Sequence, residues 1–224
     1  MTGEKMFFNP EEFEMIDISY TVIPGEDPDR PFAIQKALLQ DLTYRYDILK
    51  THSHVGTHVE VGAHFYEDGK TITEYPLNHF HGPGILFSVK DMVVTEQSCK
   101  TVLESEIQTG DIIVIRNDTG IKLTKQQMYK GDDSSLPKIS LEAAKWLAKY
   151  TPKLLVLDFI RFGDNIEEIR EFHDILMSQG TCLVEFVENL DKISQKRFYV
   201  MALPIKFQNL DSSFSRAVVI QKKD

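Results

Sequence analysis

Six of the seven histidines, His52, His54, His58, His64, His79 and His81, fall within thirty positions, and His173 stands apart. An even spread would place about one histidine in that interval. The densest part reads His52-Ser-His54-Val-Gly56-Thr-His58-Val-Glu60-Val-Gly62-Ala-His64-Phe65. Imidazole nitrogens and a carboxylate oxygen are ligands for divalent ions. Two histidines and one carboxylate make a facial N₂O set that suits Zn²⁺, Mn²⁺ or Fe²⁺ and leaves positions open for water. Whether His54, His58 and Glu60 can share one ion depends on the backbone between them. A helix would align His54 with His58, but Val55, Gly56, Thr57, Val59, Val61 and Gly62 disfavour helix. On a strand, positions 54, 58, 60 and 64 share a face. A straight strand would still hold His54 and His58 roughly 13 Å apart, and metal–ligand bonds are about 2 Å. The chain must therefore bend between them, and Gly56, at the midpoint, is the residue that permits it.

The elements that must position these residues are mostly strands. Short β-branched or aliphatic runs predict strands at Met15–Val22, Gly84–Val89, Asp111–Arg116, Leu154–Phe159, Cys182–Phe186, Phe198–Leu203 and Ala217–Ile220. Two helices are expected. Leu141–Tyr150 follows Ser140 as N-cap and stops before Pro152, and Ile166–Ser178 is ended by Gly180. Many strands and few helices predict an α/β fold with helices packed on a mixed sheet. Asn117–Ile139 is polar, contains Gly120, Gly131 and Pro137, and is expected to be a linker, a lid or an interface arm. No break divides the chain, so residues 1–224 are read as one domain.

Composition narrows the function class. The chain has 224 residues, 42% hydrophobic and 26% charged, which suits one large folded domain. The formal net charge of −9 disfavours nucleic-acid and anionic-membrane partners. No apolar run is long enough to span a bilayer, and the acidic N-terminal stretch does not read as a signal peptide. Cys99 and Cys182 are expected to be free thiols in a cytoplasmic, reducing setting. Gly-x-Ser-x-Gly, the Walker loop and the dinucleotide-binding glycine fingerprint are all absent. Among the remaining residues, Trp146 and Cys182 are expected in the core. His52, His79, His81 and Phe32 are expected at a pocket wall or the surface. Glu185, inside the apolar run Cys182-Leu-Val-Glu-Phe-Val, needs a partner to offset its burial. Glu188 is the rival carboxylate, nearer the strand end.

The string His54-Val-Gly-Thr-His58-Val-Glu60-Val-Gly-Ala-His64-Phe65 resembles the signature of the cyclase-like metal hydrolases, the family of bacterial kynurenine formamidase and isatin hydrolase. That signature reads His-x-Gly-Thr-His-x-Asp-x-Pro-x-His. Asp17-Ile-Ser, Asp68-Gly-Lys-Thr-Ile, His81-Gly-Pro-Gly-Ile-Leu-Phe-Ser-Val, and His173 with Gly180, Leu183-Val-Glu185 and Glu188-Asn-Leu190 are similar to the same family. The resemblance implies a swivelling β/β/α fold in dimers or tetramers. It implies that His54, His58 and Glu60 hold a first ion, that Glu60 bridges to a second held by His173 and Glu185, and that His64 is the catalytic general acid/base. The implied cofactor is a divalent metal, Zn²⁺ with Mn²⁺ as the alternative, one or two per chain. Two residues depart from the signature: Glu60 replaces its aspartate and Gly62 its proline, so one tight and one weaker site are expected.

The activity this implies is hydrolysis of an amide, cyclic amide or ester bond of a small molecule. Water at such an ion has its pKa lowered towards about 7, and a histidine, ordinarily near about 6.5, is suited to move the proton. Two rival readings keep the same residues. One is a lyase or cyclase that stabilises an enolate, and the other is a metal-retaining binding protein with weak activity.

Overall fold

The computed structural model describes residues 11–122, 124, 127, 134–159 and 161–223. Its strands are β1 (Phe13–Asp17), β2 (Ala33–Leu38), β3 (Tyr44–Lys50), β4 (His58–Glu60), β5 (His81–Val89), β6 (Val93–Val94), β7 (Ile112–Asn117), β8 (Lys138–Ile139), β9 (Leu154–Leu157), β10 (Cys182–Glu185), β11 (Arg197–Pro204) and β12 (Ser212–Lys222). Three α-helices lie among the described residues: α1 (Glu96–Leu103), α2 (Leu141–Ala148) and α3 (Ile166–Met177).

The main sheet runs β1-β12-β11-β5-β7-β9-β10-β4, and β4 also pairs with β12. That last pairing closes seven strands into a barrel, with β1 appended to β12. The long β12 makes closure possible, because Ser212–Phe214 pair with β4 while its later residues pair with β11 and β1. Strands β5, β7, β9 and β10 are parallel neighbours. Each parallel step is crossed by a helix on the outer face, as parallel pairing requires. Mixed pairing, a barrel-like sheet and few helices agree with the α/β class expected from sequence.

Alternation along the strands sorts the core into two layers. Val59, Ile112, Val114, Leu154, Val156, Cys182, Val184, Val200 and Val219 belong to the barrel interior. Ile113, Ile115, Leu155, Leu157 and Leu183 face outward, against Cys99 and Leu103 of α1, Trp146 and Leu147 of α2, and Phe172 and Leu176 of α3. Burial on both faces explains why these strands are continuous aliphatic runs. The helix starts follow the sequence. Ser140 accepts from the Ala143 N–H and Asn165 from the Glu168 N–H, and Thr95 caps α1 in a reciprocal pair with Ser98.

The structure adds a helix, a hairpin and the short parallel β6–β8 pair to the expected set. α1 is short and half polar, so its periodicity was weak in the sequence. The β2–β3 hairpin pairs with no other strand among the described residues. The first strand is shorter and earlier than Met15–Val22, because after Asp17 the chain leaves regular pairing: the Ser19 hydroxyl donates to the Ala217 carbonyl, and the Tyr20 N–H donates to the Thr57 hydroxyl. Most of 123–133, the middle of the segment expected to be a linker, lid or arm, lies outside the described residues.

Candidate metal centre

Strand β4 is only three residues long and lies between β10 and β12. Its central residue, Val59, points into the barrel core. His58 and Glu60 therefore point to the outer face. Across the ladder His58 pairs with Glu185 and Glu60 with Leu183, which puts Glu185 on that same outer face. His173 reaches it from α3, its register fixed by Phe172 and Leu176 in the layer beneath the helix.

The bend between His54 and His58 is at Gly56, whose φ is +64°. A Cβ there would stand 2.4 Å from Val22 Cγ2, so both conformation and space demand glycine. The turn folds His54 back over β4. His54 Nδ1 lies 3.1 Å from His58 Nε2 and 3.3 Å from Glu60 Oε2. His64, at the end of a 3₁₀ turn over Gly62–His64, brings Nε2 to 3.7 Å from Glu60 Oε2. Glu185 Oε2 is 3.8 Å from His58 Nε2. His58 Nδ1 donates to the Gly56 carbonyl at 2.9 Å, and His173 Nδ1 to the Ile169 carbonyl at 2.6 Å. Each of these two rings thus keeps Nε2 as the free lone pair.

Electrostatics separates the groups. Burial holds the His58 pKa down to about 4, so the ring is neutral at neutral pH. His54 moves the other way: burial opposes protonation, but hydrogen bonds to Glu60 and Asp211 outweigh it and raise its pKa. Burial would also raise Glu60, yet the His54 hydrogen bond and the nearby imidazoles hold it below the ordinary carboxylate value. Glu185 is pushed up to about 8, first by burial and then by the charge of Glu60. A cation between these groups would relieve both penalties on Glu185.

A cleft of about 490 Å³ opens over the cluster, lined by His54, Glu60, His64, Phe65, His173 and Glu185 among others. All the residues singled out for chemistry in the sequence line this cleft except His58, which is fully buried beneath it. They are not equally close. Among the described residues, two groups hold their ligand atoms within 4.8 Å of one another: His54, His58 and Glu60, and His54, His64 and Asp211. The first group fits a divalent ion, with two inward nitrogens and a buried carboxylate. His173 and Glu185 share the cleft but not that tight set.

Asp211 was missed in the sequence. It stands alone ahead of β12, 147 positions after His64, and nothing in its spacing marks it. Arg30 and Asp29 also line the cleft from an early loop. His52 lines it too. His81 instead hydrogen-bonds the Tyr199 hydroxyl, and His79 packs on Tyr75 and Phe80. Phe32 is not part of the cleft wall, and Glu188 belongs to a separate, smaller cleft with Asp158. Trp146 and Cys182 are buried in the core as expected.

Comparison with known proteins gives concordant results. A sequence model of a family described as putative cyclase matches residues 16–163. A kynurenine formamidase of Bacillus cytotoxicus is 23% identical over 211 residues, covering 92% of this chain and 97% of that protein. One from Erythrobacter litoralis is 21% identical, covering 93% and 94%. Among solved structures, isatin hydrolase A from Labrenzia aggregata superposes with a TM-score of 0.77 at 17% identity, over 94% of both chains. A structure described as a potential metal-dependent hydrolase with cyclase activity gives 0.72 at 19% identity, over 95% of this chain and all of that one.

Proposed function

Because the chain belongs to the putative cyclase family, we propose that it is a metal-dependent hydrolase of a small-molecule amide, cyclic amide or ester bond. The observation that carries this reading is the buried N₂O set of His54, His58 and Glu60 beneath an open cleft, with a further histidine, His64, at its rim. The kynurenine formamidase relatives and the isatin hydrolase neighbours point to C–N bonds, an exocyclic formamide or a cyclic lactam.

His54, His58 and Glu60 would hold a first ion, and Glu60, His173 and Glu185 a weaker second. When bound, a divalent ion supplies acidified water and polarisation of the substrate carbonyl. His64 is more exposed than the proposed ligands and faces the cleft, so it is placed to take a proton from the attacking water and return it to the leaving nitrogen. Phe65 and Phe162 give the cleft an apolar wall suited to an aromatic substrate. Zn²⁺ fits the nitrogen-rich set best and Mn²⁺ is the alternative.

We read residues 1–224 as one domain, because the interior and outer layers share the same strands. Two free, buried cysteines and a net charge of −9 support a cytoplasmic enzyme without nucleic-acid partners, and no helix among the described residues is long and apolar enough to cross a membrane.

We also propose a homo-oligomer, dimer or tetramer. The β2–β3 hairpin carries Ile34, Leu38, Tyr44, Tyr46 and Ile48 on one face by its register, all five exposed, with Lys36 among them, its ammonium over the Tyr44 ring. Gln35, Arg45 and Asp47 share the opposite face. An isolated two-stranded hairpin is only marginally stable in water, so the apolar face calls for a constant cover, which a second copy of the chain supplies. Exposed Phe207 lines a cleft together with Ile48, so the apolar surface continues beyond the hairpin. Light scattering that finds a monomer at micromolar concentration would refute this.

The activity is tested on a panel of aryl formamides, isatin-like lactams and aryl esters with metal-replete protein. Turnover that vanishes on chelation and returns with Zn²⁺ or Mn²⁺ is expected. Ligand-induced thermal stabilisation without turnover on any member would favour the binding-protein reading.

A further inference from the structure

We propose that Asp211 is a positioning residue, one carboxylate that fixes the tautomers of His54 and His64 together. Its Oδ2 stands 2.9 Å from His54 Nε2 and 2.7 Å from His64 Nδ1. An ionised carboxylate only accepts hydrogen bonds, so both of those ring nitrogens must carry the proton. Whenever either ring gives up its second proton, as a metal ligand or a base must, the lone pair is on its other nitrogen. For His54 that is Nδ1, the atom 3.1 Å from His58 Nε2 and 3.3 Å from Glu60 Oε2. For His64 it is Nε2, the atom 3.7 Å from Glu60 Oε2. One oxygen thus turns a ligand nitrogen and a proton-accepting nitrogen toward the same point.

The brace is itself held in place. The Val61 N–H donates to the Asp211 carbonyl at 3.0 Å, and Ser212, the next residue, pairs with Glu60. The other carboxylate oxygen, Oδ1, accepts from the Ser53 hydroxyl at 3.3 Å. The pairing that closes the barrel therefore also sets the Asp211 carboxylate beside β4. When His64 takes a proton from water it becomes an imidazolium, and the adjacent carboxylate stabilises that charge before the proton passes to the leaving group. Asp211 itself stays ionised throughout.

The inference rests on the reading of His64 as the proton carrier, and a double-mutant cycle in the metal-replete enzyme separates the two. Asp211→Ala is expected to lower kcat at least about 10-fold with KM changed little, as for an interaction realised in the transition state. In a His64→Ala background, at saturating metal so that the weaker hold through His54 does not lower occupancy, the same substitution is expected to add almost nothing to the loss in kcat. Ion stoichiometry at excess metal is expected to stay unchanged, with affinity about 10- to 100-fold weaker through His54. Asp211→Asn keeps the shape and removes the charge, so it is expected to fold normally and to show the same non-additivity with His64→Ala. It carries the test if the alanine variant does not fold. Equal losses from Asp211 variants with and without His64 would overturn the inference. So would unchanged kcat, or an ion lost outright, which would make Asp211 a ligand. If His64→Ala itself leaves turnover intact, the reading of His64 has failed instead.

Discussion

The outer face of the barrel is built in two ways. Over β7 and β9 it is sealed: Ile113, Ile115, Leu155 and Leu157 lie under α1 and α2 with no water-facing group between them. Over β4 and β10, the next strands along the same sheet, the outward positions are His58, Glu60 and Glu185 beside buried Leu183, and α3 leaves a cleft above the three polar ones. The interior face does not change between the two regions, since Val59 and Val184 fill the barrel as Val114 and Val156 do. The sheet therefore carries stability on one face throughout, and function only where the other face is uncovered. Residues one position apart in β4 belong to different parts of the protein's physics.

If this division is right, substitutions in the two regions fail differently. The largest functional effect is expected at His58, which is fully buried and presents Nε2 to the cluster. His58→Ala should abolish both ion retention and turnover, measured by elemental analysis and substrate assay. His64→Ala comes next: it should keep the ion and lose about 10²-fold in turnover, the scale of a general acid–base group. An ion lost from that variant would make His64 a ligand and blur the line between holding metal and moving protons. On the sealed face, Leu155→Ala should cost about 2–5 kcal/mol of stability in denaturant unfolding while ion content per folded molecule stays at the wild-type value.

The smallest effect is expected at Glu185. Glu185→Gln should remove only the weaker step of a metal titration. Its sign with pH can also be checked in metal-free protein. The folded pKa is about 8 against an ordinary 4.5, so the group's contribution is complete below 4.5 and is lost as pH rises through about 8. A neutral glutamine escapes that loss. Metal-free Glu185→Gln should therefore match the wild type under acid conditions and melt higher than it under alkaline ones.

Much of this was legible in the sequence, for a reason the two regions share: strands expose their chemistry through alternation. The aliphatic runs within 111–116, 154–159 and 182–186 marked strands of the mixed sheet, and the clustered histidines marked the candidate ligands. The need for a bend at Gly56 followed from strand geometry alone, and its φ of +64° meets that need. What escaped was non-local. Asp211 is brought to His54 and His64 by the β12–β4 pairing, which no local pattern encodes. The β2–β3 hairpin escaped because its apolar face has no core of its own chain to report it. The second ligand pair was named on resemblance, and the structure places His173 and Glu185 in the cleft without drawing them into the tight set.

We propose that the uncovered outer face of β4 and β10 holds a divalent ion. Elemental analysis of protein purified without chelator and then reconstituted with Zn²⁺ or Mn²⁺ tests it most directly. One tightly held ion per chain, a second bound more weakly, and loss of the tight one in His58→Ala are expected. Transition metal well below one equivalent after reconstitution, or wild-type metal content in His58→Ala, would contradict it.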